Sequence, residues 1–253
     1  MNLIDIVLPE IKSNLRINAR NSEYQKIKDA TSVLNIAYLK LASEEIKYFM
    51  QNNPSHNINS KFEYLMGTYN KLIREHQIMF LLLNVFETAL RSKAAITISS
   101  QYSAVNSDDW WKDISMLDKN LVDPVNKAVQ QLNKSNHNLS TVNTFHLFDT
   151  FTFGQLEHMY KNYWSTFQTL FTQKNYRTYT LPQISYDMFT HKMKNIRLAR
   201  NDVAHHKPID YTRRRRQDLI HDMELLLRHL NFNLEDTIDG IDPQHTIVNL
   251  RYL

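Results

Sequence analysis

Cysteine is absent from this chain of 253 residues, and glycine nearly so, with only Gly67, Gly154 and Gly240. Tight hairpins, barrel corners and phosphate-cradling loops call for glycine where φ is positive. A chain this poor in it is read away from β-sandwiches, dinucleotide-binding folds and P-loop enzymes. Helices joined by polar loops need little glycine, so the sequence predicts an all-α fold. Without cysteine there are no disulfides and no thiolate metal sites. The opening "MNLIDIVLPEIKSNLRINAR" lacks the basic-then-apolar layout of a secretion signal. The longest apolar run, "IMFLLLNVFETALRS", is interrupted by Asn84 and Glu87 and falls short of the roughly 20 apolar residues of a membrane span. The expectation is a cytoplasmic protein with no membrane partner.

Hydrophobic residues make up 42% and charged residues 22% of the chain, a balance that lets a chain of this length bury a sizeable core. The formal net charge of +4 is a mild bias that permits a nucleic-acid partner.

Apolar residues at Ile27, Ala30, Leu34, Ala37, Leu41 and Ile46 predict one long amphipathic helix over Glu23–Asn52. A second runs from about Met66 to Ser99, apolar on almost every side at its centre and hence expected to be the most buried. Trp110 and Trp111 are adjacent, so at most one is expected to face a core. Further helices are expected over Leu121–Asn133, Gln155–Thr172, Tyr186–His206 with Ser185 as N-cap, and Tyr211–Asn231. "NYRTYTLPQIS" reads as extended, and the tail after residue 235 as a short strand or extended end. Pro208 disfavours helical geometry at Lys207. One helical domain over residues 1–253 is the simplest organisation, with 1–60 as an N-terminal subdomain and 66–231 as the core.

The stretch "RLARNDVAHHKP", residues 197–208, gathers the chemistry. On a helix Arg197, Asn201 and His205 fall on one stripe, and Arg200 lies about 100° from Asn201. Arginine and histidine are sufficient for metal-independent RNA cleavage by 2′-OH attack. Imidazoles titrate near neutrality and can take and give the two protons. A guanidinium can grip the phosphate and offset its growing charge. Two copies meeting at a two-fold axis would double the set around one phosphate. Cations in a last helical turn also suit the helix dipole, so spacing alone leaves a structural reading open. His158 is read as a surface or core-edge residue, and His205 with His206 as a poor metal pair, because adjacent helical residues point apart. No cofactor or metal is expected.

"RNDVAHH", Arg200–His206, resembles the R-N-x-x-A-H-H signature of the Abi-like proteins, abortive-infection proteins of the HEPN superfamily of helical ribonucleases, whose motif is R-x4-6-H. "FETALRSKAAITIS" (86–99) resembles that family's E-x-x-L-R helix, and "FTFGQLEHMYKNYW" (151–164) its F-G-x-L segment. The resemblance covers roughly residues 70–230. It implies Arg200 and His205 as the active pair, supported by Asn201 and His206, with cleavage leaving a 2′,3′-cyclic phosphate at a homodimeric site. It further implies a toxin or phage-defence role, with a protein or small-RNA antitoxin as a partner. Asp202 stands where the family often carries an apolar residue and works against the local positive potential. Glu87 and Arg91 match the family helix and, spaced i to i+4, are read as an intrahelical ion pair. RNA-backbone contacts are assigned to Arg197 and to Arg213, Arg214, Arg215 and Arg216 of "TRRRRQD". The alternative is a non-catalytic RNA- or antitoxin-binding helical protein, with a purely structural scaffold as a third reading.

Overall fold

A computed structural model describes residues 3–103, 107–208 and 213–234. They form ten α-helices and a single two-stranded hairpin among the described residues, the all-α fold that the glycine count predicts. By its contacts the chain divides into two compact units, Met1–Leu81 with Asn201–Asp210, and Leu82–Arg200 with Tyr211–Tyr252.

In the first unit, α1 (Leu3–Leu15), α2 (Tyr24–Val33) and α3 (Ile36–Asn52) pack with the first part of α4 (Lys61–Tyr102). Ile11, Leu15, Ile27, Leu39, Ala42, Ile46 and Leu65 form the centre of its core. α1 was not expected, although Leu8, Ile11 and Leu15 have helical spacing. The single helix expected over Glu23–Asn52 is two helices. Leu34 is extended, and the Asn35 side chain accepts from the amides of Ala37 and Tyr38, starting a new helix. The carboxylate of Glu23 accepts from Ser60 Oγ at 2.5 Å and from the Lys61 amide at 3.1 Å, which places a negative charge at the positive end of α4. α4 is not buried all round at its centre: Ile78 is 57% and Phe80 49% exposed.

The second unit contains the rest of α4 and α5 (Lys119–Lys134), α6 (Thr144–Asp149), α7 (Phe153–Asn162) and α8 (Trp164–Phe167). The strands β1 (Lys174–Tyr176) and β2 (Tyr179–Leu181) follow, then α9 (Tyr186–Ala204) and α10 (Arg213–His229). α9 runs on into the first unit at its last turn. The helix expected over Gln155–Thr172 breaks at Tyr163 and ends in a 3-10 turn, Gln168–Phe171. The extended stretch is a hairpin, with Lys174 opposite Leu181 and Tyr176 opposite Tyr179. Ser185 Oγ accepts from the Met188 amide at 3.2 Å, as an N-cap does. The final helix spans Arg213–His229; Tyr211 and the tail from 235 lie outside the described residues. Aromatic rings fill the core: Tyr160, Phe167, Phe171 and Phe189 are fully buried, and Tyr160 Oη donates to the Leu90 carbonyl at 2.9 Å.

Both tryptophans are buried, contrary to expectation. They sit in a turn rather than a helix, so adjacent side chains are not forced onto diverging faces. Trp110 Nε1 donates to Thr144 Oγ1 at 2.7 Å, and Trp111 Nε1 to the Asp108 carbonyl at 3.2 Å.

Candidate functional site

α9 is anchored by one apolar face. Phe189, Met193, Ile196 and Ala199 recur at helical spacing and are all buried, which leaves Arg197 and Arg200 at the border of that face. Arg200 Nε donates to Glu87 Oε2 at 3.0 Å. The other oxygen, Glu87 Oε1, accepts from Arg91 Nη2 at 2.7 Å. Arg91 in turn donates through Nη1 to the carbonyls of Phe148, Asp149 and Phe151 at 2.7, 3.0 and 2.8 Å, gathering three acceptors at and just after the end of α6. The expected Glu87–Arg91 ion pair is therefore present and is one half of a larger arrangement. The same carboxylate orients the motif arginine, whose Nη1–Nη2 edge faces away from Glu87 by the planar geometry of guanidinium. The side chains of Glu87 and Arg91 are 13% and 16% exposed, and that of Arg200 is 36% exposed.

Arg197, expected to contact RNA, pairs through Nε with Glu157 Oε2 at 2.6 Å. Glu157 is buried and also holds Lys161 at 2.5 Å, so the Arg197 charge is partly balanced within the second unit. At the start of α10, Arg214 and Arg215 are exposed and Arg216 is half-buried, and Arg213 is the first helical residue. His158 is exposed, as expected.

The histidines lie in the first unit. α9 ends two residues before the expected His206. The His206 amide donates to Val203 O at 3.0 Å and the Lys207 amide to Asp202 O at 2.9 Å. With His206 at φ 52°, this is a Schellman turn, followed directly by Pro208. His205 and His206 are both exposed, and Asn201 and Asp202 are half-buried. Asp202 Oδ1 lies 3.6 Å from Lys207 Nζ, so the carboxylate that the sequence sets against the motif is partly offset by the next lysine.

Three residues that the sequence reading did not single out meet this turn. Asn35 Nδ2 donates to the His206 carbonyl at 3.4 Å, and the Tyr38 hydroxyl donates to the Lys207 carbonyl at 3.1 Å. Tyr38 Oη lies 2.6 Å from His76 Nδ1, and the rings of His76 and His206 are 5.7 Å apart, centre to centre. Burial, with His206 beside it, holds His76 below the usual histidine range. Burial, with Tyr69 nearby, pushes Tyr38 up to about 12. No spacing rule could have linked these residues to a motif more than a hundred positions away.

In the second unit Arg200 is fixed by Glu87 of α4, and in the first His205 and His206 stand in the turn that closes α9. A family model described as Abi-like protein matches residues 32–209, and the chain belongs to the Abi-like family. The matched span contains Glu87, Arg91 and all of Arg200–His206, and stops short of the arginines that open α10. Neither curated proteins nor solved structures gave a match. No helix among the described residues is long and apolar enough to cross a membrane.

Proposed function

We propose that this Abi-like chain is an endoribonuclease of the HEPN type that acts as a toxin or phage-defence effector in abortive infection. The observation that supports this most is the Glu87 carboxylate, which joins two of the three segments of the family resemblance by holding Arg200 from one side. In this reading the other edge of Arg200 grips the scissile phosphate. An imidazole, His205, takes the 2′-OH proton while that oxygen bonds to phosphorus. As the P–O5′ bond breaks, a second imidazole protonates the leaving oxygen, giving a 2′,3′-cyclic phosphate and a 5′-hydroxyl. Asn201 and His206 support the pair. The second imidazole comes from a second copy, and the exposed Ile78 and Leu81, three residues apart on one face of α4, offer apolar surface for a homodimer to cover. Residues 66–231 would be the HEPN-like core, and residues 1–60 an N-terminal addition.

The exposed Arg214 and Arg215, outside the matched family span, favour a second reading, RNA or antitoxin binding without turnover. One experiment separates the two: RNA cleavage in EDTA by wild type, Arg200→Ala and His205→Ala. Each substitution is expected to lower the rate about a hundredfold or more. Cleavage that persists in both variants sinks the assigned roles. Absent cleavage, with RNA binding that weakens steeply with salt and less steeply once Arg213–Arg216 are neutralised, establishes the binding reading.

A further inference from the structure

We infer that His76 and Tyr38 are positioning residues for the histidine turn, holding the backbone at Lys207 and one face of the His206 ring. The catalytic consequence rests on the ribonuclease reading above, whereas the positioning itself does not.

A tyrosine hydroxyl has one proton to donate, and that of Tyr38 goes to the Lys207 carbonyl at 3.1 Å. The 2.6 Å contact with His76 Nδ1 then requires the imidazole to donate to Tyr38 Oη. His76 is thereby fixed as the Nδ1–H tautomer. Tyr38 is 2% and His76 7% exposed, so two polar side chains sit where water cannot serve them, and each is satisfied by the other. The chain His76, Tyr38, Lys207 carbonyl ends on the turn that carries both motif histidines.

That turn needs outside support. His206 occupies the left-handed region at φ 52°, which residues other than glycine adopt uncommonly, histidine more readily than most. The carbonyls of His206 and Lys207 lie beyond the last helical bond, and they are taken up by Asn35 and Tyr38, residues of a different segment. A reacting imidazole has to be held to within about half an ångström of its productive place.

The full-length protein is compared with Tyr38→Phe, His76→Leu and His76→Asn, the last placing an amide N–H near the position of Nδ1. Imidazole nitrogen shifts by NMR are expected to report the Nδ1–H tautomer at His76. Amide exchange at His206 and Lys207 is expected to speed up about tenfold in Tyr38→Phe and His76→Leu, as loss of one buried hydrogen bond implies. In RNA cleavage the same two variants are expected to lose about tenfold in kcat at unchanged KM, and His76→Asn to recover most of it. An Nε2–H tautomer, or exchange and kcat both unchanged in Tyr38→Phe and His76→Leu, overturns the inference. If wild type cleaves no RNA, the ribonuclease reading fails. The exchange result then decides the positioning alone: acceleration upholds it, and none overturns it.

Discussion

Glu87→Ala tests whether one carboxylate organises the arginines of the second unit. Glu87 receives two charge-assisted hydrogen bonds, 2.7 Å from Arg91 and 3.0 Å from Arg200. Such bonds contribute about 1.5–3 kcal/mol when well shielded. The Arg91 side chain is 16% exposed, so its bond is assigned about 2 kcal/mol. The Arg200 side chain is 36% exposed, where solvent screening reduces the contribution to about 0.5–1 kcal/mol. Arg91 keeps its three carbonyl acceptors in the variant, so its charge is not stranded and the larger penalty of an unpaired buried ion does not apply. The expected loss is about 2–3 kcal/mol. For a chain of this size that lowers Tm by roughly 5–10 °C, followed by circular dichroism.

Double-mutant cycles sharpen the test. The coupling of Glu87 to Arg91 is expected at about 1.5–2 kcal/mol, and to Arg200 at about 0.5–1 kcal/mol. A total loss below about 0.5 kcal/mol, or an Arg200 coupling larger than that of Arg91, refutes the assignment. On the ribonuclease reading Glu87→Ala also slows cleavage, by less than Arg200→Ala does, because it frees the guanidinium without removing it.

Asp108 sets an acid limb of stability. Burial works to raise its pKa, but bonds from the Thr144 amide at 2.8 Å, the Thr144 hydroxyl and Ser99 Oγ at 2.9 Å outweigh burial and leave it lowered. A depressed folded pKa gives stability that is present above the unfolded carboxylate value and lost as pH falls through the folded one. Urea midpoints of wild type and Asp108→Asn should therefore differ most above about pH 4 and converge below it; a constant gap across that range would refute the assignment. Gly67→Ala should stabilise the protein by about 0.5–1 kcal/mol, because Gly67 lies inside α4 and an added Cβ would meet nothing within 4 Å. A destabilised variant would refute the reading of Gly67 as an open helical position.

Long helices were legible because their apolar periodicity is strong. α4, α5 and α9 begin and end within a few residues of the bounds read from the sequence. The break between α2 and α3 was not, because the apolar spacing from Ile27 to Ile46 runs through it while a single side chain, Asn35, captures the amides of the next helix. α1 carries Pro9 inside it, which masks an otherwise regular pattern. The Arg/His motif was legible as residue types on a helix end. The surroundings of its residues were not: in the second unit Glu87 reaches Arg200, and in the first Asn35, Tyr38 and His76 reach the turn at His206 and Lys207, through tertiary contacts that leave no periodic trace. Arg197 has a partner that spacing alone does not reveal. It sits on the expected stripe, yet a buried glutamate, Glu157, takes its Nε.

Scarce glycine excluded glycine-rich folds, but it did not remove the need for left-handed helix ends. α1, α5, α9 and α10 each close with a 6→1 and a 5→2 backbone bond, and the left-handed residues are Arg16, Asn136, His206 and Asn231. Asparagine tolerates that conformation well, so two of the four ends carry little strain. Histidine is also enriched in that conformation, so Arg16 carries the most strain of the four, and glycine would be the least costly choice there. At His206 the carbonyl is taken by Asn35 and the ring lies against His76. The end of α9 therefore closes without glycine, on a residue that tolerates the left-handed conformation and still presents an imidazole.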